Sequence, residues 1–401
     1  MTGLISGRLY DAGYARTLVY VGSIINTAGL LATSFSTTYP QIFLSLGVCV
    51  GLGSGAFYVP SLAIVATHFD CRKRPLATGI AATGAGVGGV LYPILFRALV
   101  ERAGFPWAIR SFACVNGGLL LVSSLLVSTL HTATSDNIPG DSSTSSSSPD
   151  TIDIPPSPSK PPKLKKNQLI DATAFYDRPF IFFSISLFLL WLGVDIPFFF
   201  LPSFASAKLR LSAEWGDYLL AIMNASAIVG RVLLGLAAVY AGSFLVWQVS
   251  IGASCVLLAC WMTITNLGGI MTFVVLYGGF TGGVISLVSA ALMVISPDIR
   301  VVGTRLGMSS VLAGFGFLVG PPVAGAIQWT QAGYVGESAF AAGTYFGAFG
   351  VLVAVAVLHR RRKEVVLGGE MDMESSRVTL VQVQGAREQF RANPCANCTW
   401  G

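Results

Sequence analysis

The chain has 401 residues, of which 53% are hydrophobic and only 11% are charged. Soluble domains carry about 25% charged residues, so this composition excludes a soluble globular protein and indicates an all-α membrane protein. The 45 glycines favour helices that pack closely in lipid, where small residues let backbones approach. The net charge of +6 is interpreted as a membrane topology signal, and no nucleic-acid partner is predicted.

Ten apolar runs are long enough to cross a bilayer core of roughly 30 Å at about 1.5 Å per helical residue. Charged or turn-forming residues bound these runs at 17–35, 41–67, 76–96, 107–130, 179–203, 218–241, 244–265, 269–295, 306–328 and 338–358. The first four runs predict an N-terminal bundle within residues 1–130. The last six predict a C-terminal bundle within residues 179–358.

The two predicted bundles are joined by a linker at 131–178 that is rich in Ser, Pro and Asp. Such a composition cannot bury a core, so the linker is predicted to be disordered. Its last part, at 169–180, is predicted to form a short amphipathic helix on the inner membrane face. Residues 359–401 form a polar tail whose Cys395 and Cys398 lack the further ligands that zinc needs, so no metal is predicted.

Lys and Arg are distributed unequally between the two sides of the predicted topology. The connections on one side, together with the tail, carry 19 of the 25 basic residues, those on the other side carry five, and Arg231 lies inside a run. Because basic connections stay in the cytoplasm, both termini and the linker are expected there. A multi-pass protein of the plasma membrane is expected, with an organelle membrane as the alternative.

The run at 218–241 holds a single fixed charge, Arg231, about 15 Å of helix from its C-terminal end. An arginine at that depth needs an acidic partner, a water-filled cavity or an anionic ligand. We interpret Arg231 as a substrate-binding residue, with a structural ion pair as the alternative. Asn224 and Ser226 precede it by one to two turns and are further substrate-binding candidates, although bonding between helices explains them equally well.

Asp195 is the other charge within a run, at 179–203. A carboxylate buried in a membrane helix can carry a proton, so Asp195 is a candidate for proton coupling. The alternative is an exposed aspartate at a helix end beside Pro197.

Residues 7–16, GRLYDAGYAR, lie directly before the first run. Gly7 and Gly13 would permit a tight turn, and Asp11 and Arg16 can pair with nearby charges or helix ends. The pattern resembles the loop between helices two and three of the major facilitator superfamily.

Residues 68–89, HFDCRKRPLATGIAATGAGVGG, resemble the helix-five signature of the monocarboxylate porter family. The matching positions are Lys73, Arg74, Leu76, Ala77, Gly79, Ala81, Gly84 and Gly88. The segments NASAIVGR around Arg231 and GTRLGM at 303–308 are similar to the fungal branch of that family.

The resemblance implies the major facilitator fold, in which two helical bundles surround a midplane cavity that opens alternately to each side. It implies secondary transport of a small organic anion, commonly with protons. Two alternatives remain: export of a larger secondary metabolite or vitamin-like solute, and a non-transporting sensor or truncated relic. The sequence shows no constellation of catalytic, cofactor-binding or metal-binding residues. The expected partners are a small-molecule solute, protons and membrane lipid, and an accessory membrane protein is an open alternative.

Members of the superfamily have twelve spans, whereas this sequence shows ten. Helix one and most of helix two are expected to be absent, and we interpret the sequence as N-terminally incomplete. In animal members an acid stands one turn before the arginine, but the corresponding residue here is Ala227.

Glycines recur within two of the runs. Residues 84–89, GAGVGG, match a dinucleotide-binding fingerprint, but that fingerprint needs a preceding strand, so nucleotide binding is rejected. The spacing Gly84-x-x-x-Gly88 predicts a close helix crossing instead. The same spacing at Gly47, Gly51 and Gly55 predicts a second crossing.

Overall fold

The computed structural model describes residues 2–11, 14–70, 73–135, 172–296 and 302–375, and these ranges are almost entirely helical. The α-helices are α1 (Thr2–Asp11), α2 (Ala15–Thr33), α3 (Tyr39–Ile42), α4 (Gly51–His68), α5 (Arg74–Ala103), α6 (Phe105–Ser135), α7 (Arg178–Gly193), α8 (Ile196–Ala207), α9 (Ala213–Ala241), α10 (Ser243–Trp261), α11 (Leu267–Ser286), α12 (Val288–Ile295), α13 (Val302–Gln328) and α14 (Gly333–Ser375).

Ten helical segments of the described ranges are long and apolar enough to cross a membrane, which confirms the predicted spans. Three spans combine shorter elements. A π-helical stretch, Phe43–Val50, joins α3 to α4 without a break. The span of α7 and α8 breaks at Asp195 because Pro197, at the start of α8, cannot donate a backbone hydrogen bond to the preceding turn. The span of α11 and α12 breaks at Leu287.

Helices α7 to α14 form one bundle around a single large buried core. Its helices approach closely because glycines replace side chains at the crossings. A Cβ atom on Gly230 would collide with the backbone of Gly279, and one on Gly282 would collide with the carbonyl oxygen of Ala227. Helix α9 is therefore held directly against α11, backbone to backbone.

Helices α2, α4 and α6 are joined by a hydrogen-bond network around Asn26, which is buried. Asn26 donates to Ser54 of α4 at 2.8 Å and accepts from Asn116 of α6 at 2.8 Å. Because this amide bonds to two neighbouring helices, it fixes their axial positions relative to α2.

The chain crosses between two sides. We call the side that carries Lys73, Arg74 and Arg305 the basic side, and the side that carries the connections at 208–212 and 329–332 the opposite side. The helices before and after the linker meet along α5 and α9 and along α1 and α13. These two pairs form most of the interface between the bundles.

The segment at 7–16 differs from the predicted loop. Gly7 lies inside α1, so the prediction of a turn at this residue is wrong. A Cβ atom on Gly7 would collide with the carbonyl oxygen of Gly303, so this glycine brings α1 against α13. Asp11 ends α1 and Arg16 is the second residue of α2, whereas Gly13 lies outside the described residues.

Most of the predicted linker and tail, at 136–171 and 376–401, also lies outside the described residues. Where the amphipathic helix was predicted, the described part holds a single 3₁₀ turn, Ala172–Phe175. Helix α14 continues past the predicted end of its span to Ser375.

Candidate functional site

A cavity of about 330 Å³ lies between the two bundles, with walls from α1 and α4 on one side and α7, α11, α12 and α13 on the other. Its aromatic walls are Tyr58, Trp191 and Phe317, and its hydroxyl groups come from Ser289, Ser309 and Ser310. No Lys, Arg, Asp or Glu of the described ranges lines it. We call this space the central cavity.

Small residues keep the central cavity open. Gly51 and Gly55 lie one turn apart on α4 and both line it. A Cβ atom on Gly51 would meet nothing within 4 Å, so any larger side chain there would enter the open space. The carbonyl oxygen of Gly55 accepts a hydrogen bond from Ser6 of α1 at 2.9 Å, which closes the wall between α1 and α4.

Arg231 does not line the central cavity. Its side chain is only 6% exposed, and Nη1 donates a hydrogen bond to the carbonyl oxygen of Ala82 on α5. A Cβ atom on Gly86 would lie 3.2 Å from Nη1, so the missing side chain of Gly86 makes room for the guanidinium. Within the described residues Arg231 thus bridges the two bundles without a carboxylate partner.

Tyr58 connects Arg231 to the central cavity. Its side chain is half-exposed and forms part of the cavity wall. The phenol also lies within range of an electrostatic interaction with the Arg231 guanidinium. The fixed positive charge therefore acts electrostatically on one residue of the cavity wall without lining the cavity itself.

The two other predicted substrate ligands face different helices. Asn224 donates from Nδ2 to the carbonyl oxygen of Leu220 at 3.0 Å, and its Oδ1 lies against Gly89 of α5. It therefore shares the α5-facing side of α9 with Arg231. The carbonyl oxygen of Ser226 instead lies on the side of α11, 3.9 Å from the place that a Cβ atom on Gly279 would take.

Asp195 stands at the break between α7 and α8, and its Oδ2 is buried without a hydrogen-bond partner in the described residues. Tyr277 and Tyr345 both lie within electrostatic range of this carboxyl group. The Tyr277 hydroxyl donates to the carbonyl oxygen of Val194 at 2.9 Å and lies 3.5 Å from the hydroxyl oxygen of Tyr345. The described residues hold no ion pair between Asp195 and Arg231.

The residues of the helix-five signature do not form one cluster, and each makes different contacts. Arg74 begins α5, is buried, and donates to the carbonyl oxygen of Phe69 at 3.2 Å. A Cβ atom on Gly79 would lie 2.5 Å from the carbonyl oxygen of Arg231, so Gly79 does form a helix crossing. Gly84 faces open space and Gly88 meets only Tyr92 of its own helix, so the crossing predicted at those two glycines is wrong.

In the preceding span Gly55 bonds to α1 through its carbonyl oxygen, but Gly47 and Gly51 do not form the predicted crossing. Gly47 approaches only Phe43 of its own span, and Gly51 faces the central cavity. The close contact is made by Gly53, where a Cβ atom would lie 2.6 Å from the backbone nitrogen of Asn26 and 2.8 Å from the carbonyl oxygen of Gly22. The glycine spacing identified which helices cross, but not which face of each helix makes the contact.

Several buried polar groups escaped the sequence analysis. Arg305 is 2% exposed, pairs with Asp177 at 2.8 Å and lies over the ring of Phe180 at 5.3 Å. Both charges stand at span ends on the basic side, where the sequence suggested only a topology signal. Glu337 is also buried, although the predicted span began one residue after it.

Ten membrane-crossing helices in two bundles around a central cavity define a polytopic transporter architecture. The family model of the Major Facilitator Superfamily matches residues 1–298, and the chain belongs to this superfamily. The predicted fold class is thereby confirmed. The narrower assignment to the monocarboxylate porter-like branch and the missing N-terminal helices stay predictions.

Two curated fungal relatives are similar over most of the chain. The MFS-type transporter pynF of Aspergillus niger is 32% identical over 325 residues, which cover 81% of this chain and 68% of the relative. The fujikurins efflux protein of Gibberella fujikuroi is 31% identical over 341 residues, covering 84% of this chain and 67% of the relative.

Among solved structures, the Escherichia coli fucose:proton symporter FucP matches with a TM-score of 0.65 at 11% sequence identity. The match covers 88% of this chain and 87% of that one. At this identity the likeness establishes the fold alone.

Proposed function

We propose that this protein is a secondary active exporter of an amphipathic organic solute and works by alternating access between its two bundles. The observation that carries the proposal is the chemistry of the central cavity. Its aromatic walls and three serines offer apolar contact with a few hydrogen bonds, and no charged side chain of the described ranges lines it. Cavities of roughly 300 Å³ and more are typical of sites for drug-sized ligands.

The name of one relative supports the same direction of transport. The Gibberella fujikuroi protein is an efflux protein for fujikurins, and we extend export of such a secondary metabolite to this chain. A larger solute of this kind would contact Trp191 and Phe317 together, since their rings lie 6.1 Å apart in an edge-to-face arrangement. A lactate-sized anion would leave most of the cavity unfilled.

A small organic anion, transported with protons, is the second candidate. The observation that favours it is Arg231, which interacts electrostatically with Tyr58 in the cavity wall. To reach the guanidinium, a carboxylate would have to replace the carbonyl oxygen of Ala82 as its acceptor. A charge-assisted pair is stronger than a bond to a neutral carbonyl, so the exchange is chemically reasonable.

The placement in the cell follows from the same proposal. The basic side is assigned to the cytoplasm by the excess of Lys and Arg, which puts both termini there, and export then requires the plasma membrane or an organelle membrane. On that side α1 and α13 are closed against each other at Gly7 and Gly303. We assign the described conformation to a state closed toward the cytoplasm.

Reconstitution tests the proposal. The full chain is inserted into lipid vesicles, and the flux of radiolabelled fujikurin and of radiolabelled lactate is followed with and without a pH gradient, with protein-free vesicles as the control. Export predicts saturable fujikurin flux that the gradient accelerates. Saturable lactate flux without fujikurin flux would favour the second candidate. No flux of either probe would support the non-transporting sensor.

A further inference from the structure

Glu337 is a buried acid that the proposed cavity does not use. It lies in the first turns of α14, and no part of its surface is exposed. Neither carboxylate oxygen has a hydrogen-bond partner within the described residues. Most buried carboxylates in proteins are satisfied by a donor or a cation, so this arrangement requires an explanation.

An aromatic cluster begins one turn before Glu337. Tyr334, one turn earlier on α14, packs edge-on against Phe204 of α8 with ring centroids 5.5 Å apart. The other neighbour of Phe204 is Trp261 of α10, also at 5.5 Å. The indole nitrogen of Trp261 is itself buried without a partner in the described ranges. Within the described residues none of these aromatic groups donates a hydrogen bond to the Glu337 carboxylate.

No charged group of the neighbouring helices compensates Glu337. Helix α14 packs against α7, α8, α10 and α13. The titratable and charged side chains that these helices and the breaks at their ends contribute are Asp177, Arg178, Asp195, Lys208, Arg210, Cys255, Cys260 and Arg305. Within the described residues none of them pairs with Glu337, and the electrostatic interaction that Glu337 does make is with Tyr334 of its own helix.

An ionised carboxylate in such a place would lose its hydration without gaining a partner, and buried groups of this kind take up a proton instead. We propose that Glu337 is a proton-binding site that holds a neutral carboxylic acid in this conformation. The site is separate from Asp195, because Glu337 lies on α14 and Asp195 at the break between α7 and α8, and within the described residues no hydrogen bond joins the two carboxyl groups.

The position of Glu337 also provides a route for its proton. It is four residues past the start of α14 on the opposite side, about 6 Å of helix from that end. A small displacement of α14 in the transport cycle would admit water, and the acid would then exchange its proton with that side. This coupling rests on the proposed transport function, whereas the protonation rests on burial alone.

Infrared spectroscopy tests the protonation without a transport substrate. The full chain in lipid nanodiscs at neutral pH is expected to show the carbonyl stretch of a protonated carboxylic acid. The band is weaker in Glu337→Gln and unchanged in Glu214→Gln, whose glutamate is exposed on α9. An identical band in wild type and Glu337→Gln would overturn the proposal.

A labelling experiment keeps the test valid should Glu337→Gln fail to fold. Wild-type protein is prepared with ¹³C in the side-chain carboxyl groups of glutamate only. The band is expected to shift to lower frequency, because a glutamic acid gives rise to it. A band that does not shift would assign the proton to an aspartic acid, and Glu337 would be excluded.

The coupling is tested in vesicles with radiolabelled fujikurin as the probe. Glu337→Gln cannot release a proton, so it is expected to exchange the probe across the membrane but to lose its accumulation by a pH gradient. Glu214→Gln keeps both activities. Accumulation by Glu337→Gln at the wild-type level would overturn the coupling. A wild-type protein that shows the infrared band but no flux would refute the proposed function alone.

Discussion

Arg231 donates a hydrogen bond from Nη1 to the carbonyl oxygen of Ala82, which joins the fixed charge of α9 to the backbone of α5 in the other bundle. The two helices are antiparallel. Gly79 of α5 contacts the backbone of Arg231, and Gly89 contacts Asn224. The contact continues to an ion pair of 2.7 Å between Arg97 and Asp217 near the opposite side. Alternating access requires this interface to rearrange, so the contacts of Arg231 bear on the rate of that step.

The first prediction concerns the geometry of the Arg231 side chain. Arg231→Lys keeps the charge but loses the planar guanidinium that reaches Ala82. Hydrogen bonds to charged groups are worth roughly 1.5–3 kcal/mol, and about 1.4 kcal/mol corresponds to a factor of ten. We therefore expect transport to fall about tenfold or more when rates are normalised to the amount of reconstituted protein.

The matched control for this variant is Arg102→Lys, at an exposed arginine in the last turn of α5. This variant carries the same substitution at a position outside the interface, so its transport rate is expected to equal that of wild type. Wild-type rates in Arg231→Lys would remove the guanidinium from the mechanism.

The second prediction uses two glycines of α5 that the sequence pattern does not distinguish. In Gly79→Ala the new Cβ atom would lie 2.5 Å from the carbonyl oxygen of Arg231, so the interface must move apart. Overpacking of this kind typically costs about 1–3 kcal/mol of unfolding free energy. In thermal unfolding of detergent-purified protein, Gly79→Ala is expected to melt below wild type.

Gly84→Ala provides the comparison on the same helix. Its Cβ atom would enter open space, and alanine favours a helix over glycine by about 1 kcal/mol. The melting temperature of this variant is expected to match or exceed that of wild type. Equal melting temperatures for the two variants would contradict the assignment of the crossing to Gly79.

The third prediction tests the central cavity. Gly51→Phe places a ring in the open space beside Tyr58, so the cavity can no longer hold a drug-sized solute. Fujikurin flux into vesicles is expected to be lost, with the amount of folded protein unchanged. Gly118→Phe is the control, since Gly118 is exposed on α6 and a Cβ atom there would also meet nothing within 4 Å. Equal flux in both variants would show that the solute passes elsewhere.

The fourth prediction concerns proton coupling at Asp195. Asp195→Asn keeps the shape of the side chain but cannot exchange a proton, and its neighbours Tyr277 and Tyr345 remain in place. We expect the dependence of fujikurin flux on the pH gradient to weaken, in a comparison of initial rates at two external pH values. Flux that responds to pH as in wild type would exclude Asp195 and leave Glu337 as the candidate acid.

The sequence by itself determined the class and the fold of this protein. A bilayer imposes a length of about 20 apolar residues on every spanning helix, and this constraint acts on each segment separately. All ten spans could therefore be identified without any knowledge of their neighbours. The depth of Arg231 within its span was equally a local property, since it follows from counting residues along one helix.

Only the tertiary structure decided what each polar group contacts. Gly79 and Gly84 belong to the same motif, yet the rotation of α5 turns one toward α9 and the other away from it. Glu337 lies at the edge of an apolar run, and only the packing of α14 against the other helices shows that it is buried and not in contact with water. Such contacts join residues far apart in the chain, and no local pattern records how the helices are rotated against one another.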